Sequence, residues 1–392
     1  MTRARLERDF ERFKRDLPRD FPDHVRDAYH VDLTARYLGC TLAHPIGKGS
    51  GQLSLNVGQL EDDAAAGLAF VVLKTVIAQD EAGTRSMAAW AIHETRMTVE
   101  RRAAADGREG WTVSWKGRGW DRSLEEYLGL ERTGRDIATA TGMLVVPSVK
   151  YHLPRLGEAF RTEEYDYTTR RLAEAWGEPP LLLEIDFSPT LAGDALADDR
   201  AQILRWLREV PGRVRAASPV PVRLAVKLMN ARFDDAFQFA MMDACRNADA
   251  LVCFNRLFDA EKGIAYGGWD LSDRNLRVLG TPGSRPGSGS PLTPRASAGQ
   301  AGLTGTGNIC SGRMVLEYAR RGCESVQLHT FLQLPLSEYP ATEGSRTRRA
   351  LHALMFDPRD GVIAGMLELE EAGRLERRGG VLHFLDVLPH AD

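Results

Sequence analysis

Several patterns that would mark other classes of protein are absent from this chain. Its 392 residues contain five cysteines and no C-x-x-C pair, which argues against an iron–sulfur cluster or a structural zinc site. No apolar run approaches the roughly 18 residues that span a bilayer, and residues 1–30 contain no apolar signal-peptide core. The net charge is only −3, so we expect no nucleic-acid or membrane partner. These absences predict a cytoplasmic protein that holds no metal and binds a small molecule.

Short runs rich in Val, Ile and Leu recur along the chain and predict buried strands. Runs such as LLLEIDF and ALVCFN are apolar on both faces, which is typical of parallel strands covered by helices. The eight predicted strands are 45–51, 69–76, 143–149, 181–187, 222–228, 250–255, 302–309 and 325–331. Helical patterns separate them at 59–68, 198–210, 234–246 and 311–321, with Asp198 and Ser311 as N-caps and Gly322 as a C-terminal cap.

Alternation of strands and helices leaves two α/β architectures, an open doubly wound sheet and a closed barrel. Eight strands favour a (β/α)₈ TIM barrel, which we place at residues 31–335. Residues 1–30 predict an N-terminal helical extension, and residues 336–392 predict a C-terminal one.

Two segments depart from a minimal barrel. Residues 80–120 follow the second predicted strand and therefore lie on the side where barrels build their active sites. This tryptophan-rich insertion is either a lid or a small subdomain with its own core. Residues 281–300 are rich in Gly, Pro and Ser and predict a flexible loop, which either reaches the site or is a tolerated surface insertion.

Polar residues at the ends of predicted strands are candidate ligand contacts. Gly49, Ser50 and Gly51 end the first predicted strand and would let a ligand approach the backbone, although taken alone they are better explained by a tight turn. Lys74 and Lys227 end the second and fifth strands. A lysine at the end of an apolar strand either reaches solvent or faces an anionic or electron-rich ligand.

The last three strands offer further candidates. Asn255 ends the sixth strand, and its amide can both donate and accept hydrogen bonds, which suits a planar heterocycle. The seventh strand leads into the glycine-rich turn GTGNICSG at 305–312, just before a helix. Backbone N–H groups at such a turn can bind phosphate, and barrels usually bind phosphate after strands seven and eight. A glycine-rich turn alone is not specific.

The ordered motifs resemble those of one known family. VDLTARYLGCTLAHPIGKGSG at 31–51 resembles the opening of the cytosolic dihydroorotate dehydrogenases, and the resemblance covers roughly residues 31–335. AGLAFVVLKTV, LAVKL, ALVCFN, GTGNICSG and SVQLHT resemble its later motifs in the same order. His44 stands where the family has Asn, and Gly49 where it has Ala. The resemblance implies an FMN-binding barrel that exchanges hydride between flavin N5 and a small organic substrate, and a homodimer.

The resemblance also implies roles for particular residues. Asn308 replaces the second glycine of the pair that holds the FMN phosphate in the family. A lysine beside the N1–O2 edge of the flavin would stabilise the negative charge of the reduced ring. The predicted cofactor site comprises Gly49, Ser50, Gly51, Lys74, Thr75, Lys227, Asn255, Gly307, Asn308, Gly312, His329 and Thr330.

The fourth predicted strand departs from the family's N-L-S-C-P-N motif and reads EIDFSPT at 184–190. Ser188 keeps the place of the family's catalytic residue before proline, whereas Asp186 aligns with the first asparagine if one residue is deleted. Both are candidate catalytic bases: a carboxylate at a barrel rim can accept a proton, but an unassisted serine is a poor base. Glu184 shares the strand face of Asp186 and is a candidate partner for a barrel lysine.

The retained flavin motifs and the altered substrate motif indicate an oxidoreductase with a substrate other than dihydroorotate. Two alternatives stay open. One is a flavin-free, aldolase-like lyase that forms a Schiff base on Lys74 or Lys227. The other is a non-catalytic barrel that binds a phosphate-bearing ligand.

Overall fold

The chain is described by a computed structural model, whose elements follow the predicted alternation of strands and helices. The described residues are 2–88, 97–103, 109–115, 119–187, 200–230, 234–255, 257–259, 264–268, 270–281 and 301–387. Their helices are α1 (Thr2–Phe13), α2 (Phe21–Tyr29), α3 (Val57–Ala65), α4 (Leu124–Thr141), α5 (Thr162–Trp176), α6 (Arg200–Ala217), α7 (Asp235–Ala244), α8 (Asp270–Gly280), α9 (Gly312–Arg320), α10 (Arg346–Phe356) and α11 (Val362–Glu371). Short 3₁₀ helices span Thr330–Gln333, Leu336–Glu338 and Phe384–Asp386.

The strands fall into one large parallel sheet and several smaller sheets. They are β1 (Val31–Asp32), β2 (Ala35–Tyr37), β3 (Cys40–Leu42), β4 (Ile46–Lys48), β5 (Phe70–Val72), β6 (Val76–Ile77), β7 (Met97–Ala103), β8 (Glu109–Trp115), β9 (Leu144–Val146), β10 (Ser148–Lys150), β11 (Leu181–Asp186), β12 (Val222–Met229), β13 (Ala250–Asn255), β14 (Leu257–Asp259), β15 (Ile264–Gly268), β16 (Gly302–Thr306), β17 (Cys323–Leu328) and β18 (Leu382–His383).

The large sheet has ten strands in the order β6-β10-β11-β12-β13-β16-β17-β4-β5-β9, and every pairing in it is parallel. The second predicted strand is divided into β5 and β6, and the third into β9 and β10. The two ends of this order are β6, from the second predicted strand, and β9, from the third. The other halves of these strands also pair across, since β6 pairs with β10 and β5 pairs with β9, so the second and third predicted strands are neighbours at both ends of the order. The fold is therefore α/β and TIM-barrel-like.

The eight predicted apolar runs all contain strands of this sheet, but three predicted C-terminal boundaries are wrong. The first strand ends at Lys48. The seventh strand ends at Thr306, since Gly307 and Asn308 turn the chain with positive φ angles of 132° and 49°. The eighth ends at Leu328 and is followed by a 3₁₀ helix. The Ser311 side chain caps α9 by accepting from the Met314 N–H, as predicted. The other predicted N-cap, Asp198, lies outside the described residues.

The two ends of the described chain meet. Helices α1 and α2 precede the sheet, α10 and α11 follow it, and β1 pairs in parallel with β18. The hairpin of β2 and β3 sends Tyr37 against Phe70, with ring centroids 4.7 Å apart. Within the described ranges, no helix is long and apolar enough to cross a membrane.

A second, antiparallel sheet in the order β14-β15-β8-β7 joins two insertions. Strands β7 and β8 belong to the predicted 80–120 insertion, whereas β14 and β15 form a hairpin after the sixth barrel strand that the sequence did not predict. Both insertions follow carboxyl ends of barrel strands, so this sheet lies on the side expected for the active site. Of the predicted flexible loop at 281–300, residue 281 is described and residues 282–300 lie outside the described residues.

Candidate functional site

A cleft opens at the carboxyl ends of the barrel strands. The space between its lining residues, counted together with the open solvent at its mouth, is about 560 Å³. Eight of the predicted cofactor residues line it: Gly49, Ser50, Lys227, Asn255, Gly307, Asn308, His329 and Thr330. Phe254, Leu271, Thr306, Gln327 and Leu328 complete the lining. The fold thus brings together residues from five separate predicted strand ends.

Four predicted cofactor residues are not part of the cleft lining. Gly51 is required by close packing, because a Cβ there would lie 1.9 Å from His329 Nε2. Gly312 begins α9 against the C-terminal helices, and a Cβ there would lie 2.1 Å from the Val362 nitrogen. Lys74 is buried, and its main-chain N–H donates to the Ser54 carbonyl oxygen at 3.0 Å. The fourth, Thr75, contacts the lining through its hydroxyl group.

The floor of the cleft holds a buried ion pair. Lys227 Nζ lies 3.7 Å from Glu184 Oε1, as the position of Glu184 on its strand face suggested. The other oxygen, Oε2, accepts from the Tyr37 hydroxyl at 2.8 Å and from Gln327 Nε2 at 2.7 Å. Burial first, and then the Glu184 carboxylate, raise the pKa of Tyr37 well above its ordinary value, so its hydroxyl stays protonated and donates.

Gln327 also lines the cleft, although nothing in the sequence alone distinguishes it as a candidate. Its side chain is buried and lines the cleft, and its Oε1 has no hydrogen-bond partner within the described residues. A Cβ on Gly49 would lie 3.1 Å from this oxygen and 3.6 Å from Lys227 Nζ. An unsatisfied acceptor beside a lysine, beneath a glycine, fits a planar ligand that carries both an N–H group and a carbonyl edge.

Asp186 ends β11 beside a cluster of hydroxyl groups. Thr75 Oγ1 lies 3.2 Å from Asp186 Oδ2, 2.9 Å from Ser50 Oγ and 3.0 Å from Ser148 Oγ. Lys150 Nζ donates to the main-chain oxygen of Asp186 at 3.2 Å. Neither Ser148 nor Lys150 was predicted, because burial on both faces hides which side of the strand faces the site. The other candidate base, Ser188, lies outside the described residues.

The predicted phosphate turn is anchored from three sides. The Thr306 carbonyl oxygen accepts from Asn275 Nδ2 at 2.8 Å and from the Tyr318 hydroxyl at 3.1 Å. This arrangement requires glycine at position 307, because the Cβ of any other residue would lie 2.2 Å from Asn275 Nδ2. Asn308 Nδ2 donates to the Trp111 carbonyl oxygen. The asparagine that replaces the family's glycine thus binds the antiparallel sheet with its side-chain amide.

Strand β8 brings the insertion against the end of the cleft that holds Asn308 and Thr330. It lies against the 3₁₀ helix Thr330–Gln333, and Arg101 Nη2 of β7 lies 2.8 Å from Glu338 Oε2. Trp120 instead packs in the main core, and its Nε1 donates to the Ser123 carbonyl oxygen. The insertion therefore contacts the predicted site, which is compatible with both the lid and the subdomain interpretations.

The described part of the chain contains no candidate metal site, and two of its cysteines have thiols that are poor nucleophiles. No group of three or more His, Cys, Asp or Glu side chains there is placed to hold a metal ion. The five cysteines form no disulfide. Burial raises the pKa values of Cys253 and Cys310, which keeps both thiols protonated near neutral pH and therefore poor nucleophiles.

Comparisons with known proteins find a similar fold but no similar sequence. No family model matches this chain, and no curated protein matches it in sequence. Among the solved structures that match is a DHODH, a dihydroorotate dehydrogenase, from Eimeria tenella in complex with ferulenol. The match has a TM-score of 0.56 and 14% sequence identity, and it covers 87% of this chain and 85% of that chain. The chain therefore has a fold like that of dihydroorotate dehydrogenase.

Proposed function

We propose that this protein is an FMN-dependent oxidoreductase on a closed (β/α)₈ barrel, acting on a small organic substrate other than dihydroorotate. One observation carries the proposal: eight residues selected from the sequence as FMN contacts line a single cleft at the carboxyl ends of the strands. Its cytoplasmic location and homodimeric state stay predictions from the sequence.

The lining divides into two parts that suit the two ends of FMN. The turn at Gly307 and Asn308, with Thr330 nearby, would hold the phosphate through backbone and hydroxyl donors. Gly49, Lys227 and Gln327 would hold the ring, since they combine an open backbone, an ammonium group and an unsatisfied amide oxygen. When bound, FMN would accept a hydride from the substrate or return one to it.

The chain itself must handle the proton that accompanies hydride transfer. Asp186 Oδ2 accepts a hydrogen bond from Thr75, whereas Asp186 Oδ1 is buried and has no hydrogen-bond partner within the described residues. We assign proton transfer to Asp186 because Thr75 connects its carboxylate to Ser50, which lines the cleft, and a positioned carboxylate can act as a general base. Ser188, which keeps the family's position before proline, is the other candidate.

The first experiment is an absorption spectrum of the purified protein, followed by denaturation and identification of any released compound. Flavin bands and released FMN are expected, whereas a protein that stays colourless after incubation with FMN would refute the proposal. The same spectrum separates it from the lyase and the binding-only barrel, neither of which requires flavin.

The second experiment compares Asp186→Asn with Ser188→Ala in anaerobic bleaching of the bound flavin by candidate substrates. Asp186→Asn is expected to slow bleaching at least 100-fold while FMN content stays unchanged, because general base catalysis contributes about 10²–10⁴-fold. A larger loss in Ser188→Ala would reassign the base.

A further inference from the structure

Three hydroxyl groups from three different barrel segments meet beside Asp186. Ser50 follows β4, Thr75 lies between β5 and β6, and Ser148 begins β10. The Thr75 oxygen is their common neighbour, at 2.9 Å from Ser50 Oγ and 3.0 Å from Ser148 Oγ. Ser148 and Thr75 are buried, and Ser50 lines the cleft. The cluster therefore connects the cleft to a carboxylate at the end of the next strand.

The hydrogen-bonding capacity of Thr75 determines what this cluster can do. A hydroxyl group has one proton to donate and two lone pairs that accept. An ionised carboxylate only accepts, so the Thr75 proton goes to Asp186 Oδ2, 3.2 Å away. Both serine hydroxyl groups can then donate to Thr75, and this arrangement uses its whole capacity. Thr75 is thereby oriented toward the carboxylate by two neighbours.

The remaining contacts of Asp186 fix the backbone and leave one side-chain oxygen without a hydrogen bond. Lys150 Nζ holds the main-chain oxygen at 3.2 Å, which fixes the end of β11. Oδ1 is buried, without a hydrogen-bond partner in the part of the chain that the structure describes. Leaving a buried carboxylate oxygen unsatisfied costs free energy, so the orientation of this carboxylate depends all the more on the hydrogen bond from Thr75 to Oδ2.

We propose that Thr75 is the positioning residue of Asp186: it holds Oδ2, with Ser50 and Ser148 orienting its hydroxyl group, so that the carboxylate is held in place to receive the substrate proton. This role rests on the proposed function, in which the bound flavin takes the hydride. One substrate bond to hydrogen breaks and an O–H bond forms on the Asp186 carboxylate, while Thr75 keeps its own proton. Thr75 acts through Asp186 and does not itself react.

The test is infrared spectroscopy of the full-length protein, which reports the carboxylate directly and needs no substrate. The difference between wild type and Asp186→Asn identifies the carboxylate band of Asp186. Thr75→Val, which replaces the hydroxyl group with a methyl group of similar size, is expected to shift that band. Thr75→Ser, which keeps the hydroxyl group, is expected to restore it. Ser148→Ala, a milder change, should shift the band in the same direction but by a smaller amount than Thr75→Val.

A matched control separates positioning from the general loss of a buried hydroxyl group. Thr304 is also buried on a barrel strand, and its Oγ1 lies 3.0 Å from Ser325 Oγ. Thr304→Val should lower stability much as Thr75→Val does but leave the Asp186 band in place. An Asp186 band that is unchanged in both Thr75→Val and Ser148→Ala would overturn the proposal. Failure of the proposed function is seen separately, as the absence of flavin absorption in the wild type.

Discussion

The ammonium group of Lys227 lies 3.7 Å from a carboxylate oxygen of Glu184, and both side chains are at least nine-tenths buried. Charged groups removed from water are costly unless they are paired, so each of these residues accounts for the presence of the other in an apolar strand. Lys227 also lines the cleft, which means that the lysine assigned to the flavin has a structural partner before any ligand binds.

This pairing predicts strong coupling between the two positions. Lys227→Met is expected to lower the free energy of unfolding by about 3 kcal/mol, because it leaves Glu184 buried without a counter-charge. The double variant Lys227→Met, Glu184→Gln should regain more than half of that loss, since glutamine can still accept from Tyr37 without carrying charge. Urea unfolding measures both. If the loss in the double variant equals the sum of the losses in Lys227→Met and in Glu184→Gln alone, the pair is not coupled.

A second prediction concerns Gly49, where the absence of a Cβ leaves room beside Gln327 and Lys227. A Cβ at this position would lie 3.1 Å from Gln327 Oε1 and 3.6 Å from Lys227 Nζ, and so would narrow the floor of the cleft. The resembled family carries Ala at this position, but because of the contact with Gln327 in this chain, Gly49→Ala is expected to weaken FMN binding about tenfold, or about 1.4 kcal/mol, as measured by quenching of flavin fluorescence.

The matched control for that substitution is Gly129→Ala in α4, where a Cβ would meet nothing within 4 Å. It should raise the free energy of unfolding by about 0.5–1 kcal/mol, because alanine loses less backbone entropy than glycine in a helix. FMN affinity should be unchanged in this variant. Equal FMN affinities of the two variants would place the ring elsewhere in the cleft.

A third prediction follows from the side-chain amide of Asn308, which links the phosphate turn to β8. Asn308→Gly removes the hydrogen bond to the Trp111 carbonyl oxygen but relieves a positive φ of 49°. These effects oppose each other, so the free energy of unfolding should change by less than about 1 kcal/mol. Hydrogen exchange should nevertheless become faster in 109–115. Unchanged exchange would mean that β8 is held by its other contacts.

The sequence predicted the strands well because burial on both faces leaves continuous apolar runs, and it predicted Lys227 and Asn255 because a polar residue that ends such a run stands out. The same burial hides Ser148 and Gln327, which lie inside apolar runs where no alternation shows which face is polar. The hydroxyl cluster around Thr75 could not be predicted, since it depends on distances between segments that are separated along the chain. The hairpin of β14 and β15 joins the sheet through the pairing of β15 with β8, a long-range contact that local sequence does not encode.

His44, which stands where the resembled family has asparagine, gives the chain a pH-dependent stability. The ring is fully buried, with Nε2 2.8 Å from the Gly67 carbonyl oxygen. The Ile46 N–H donates to Nδ1 at 3.2 Å, so Nδ1 must be unprotonated and Nε2 must carry the proton that Gly67 accepts. Protonation of Nδ1 would place two donors against each other. Burial accordingly lowers the pKa of His44 from 6.5 to about 4.

The stability contributed by neutral His44 is present above pH 6.5 and is lost as the pH falls toward 4, because the unfolded chain binds the proton first. Each pH unit in this window costs about 1.4 kcal/mol, so wild type should lose about 2 kcal/mol between pH 6.5 and pH 5 from this residue. His44→Asn should remove that part of the pH dependence, as measured by urea unfolding at both values. His30→Asn, at an exposed position, is the control and should keep the wild-type slope. If His44→Asn and His30→Asn lose stability equally, the ring is not held neutral by these contacts.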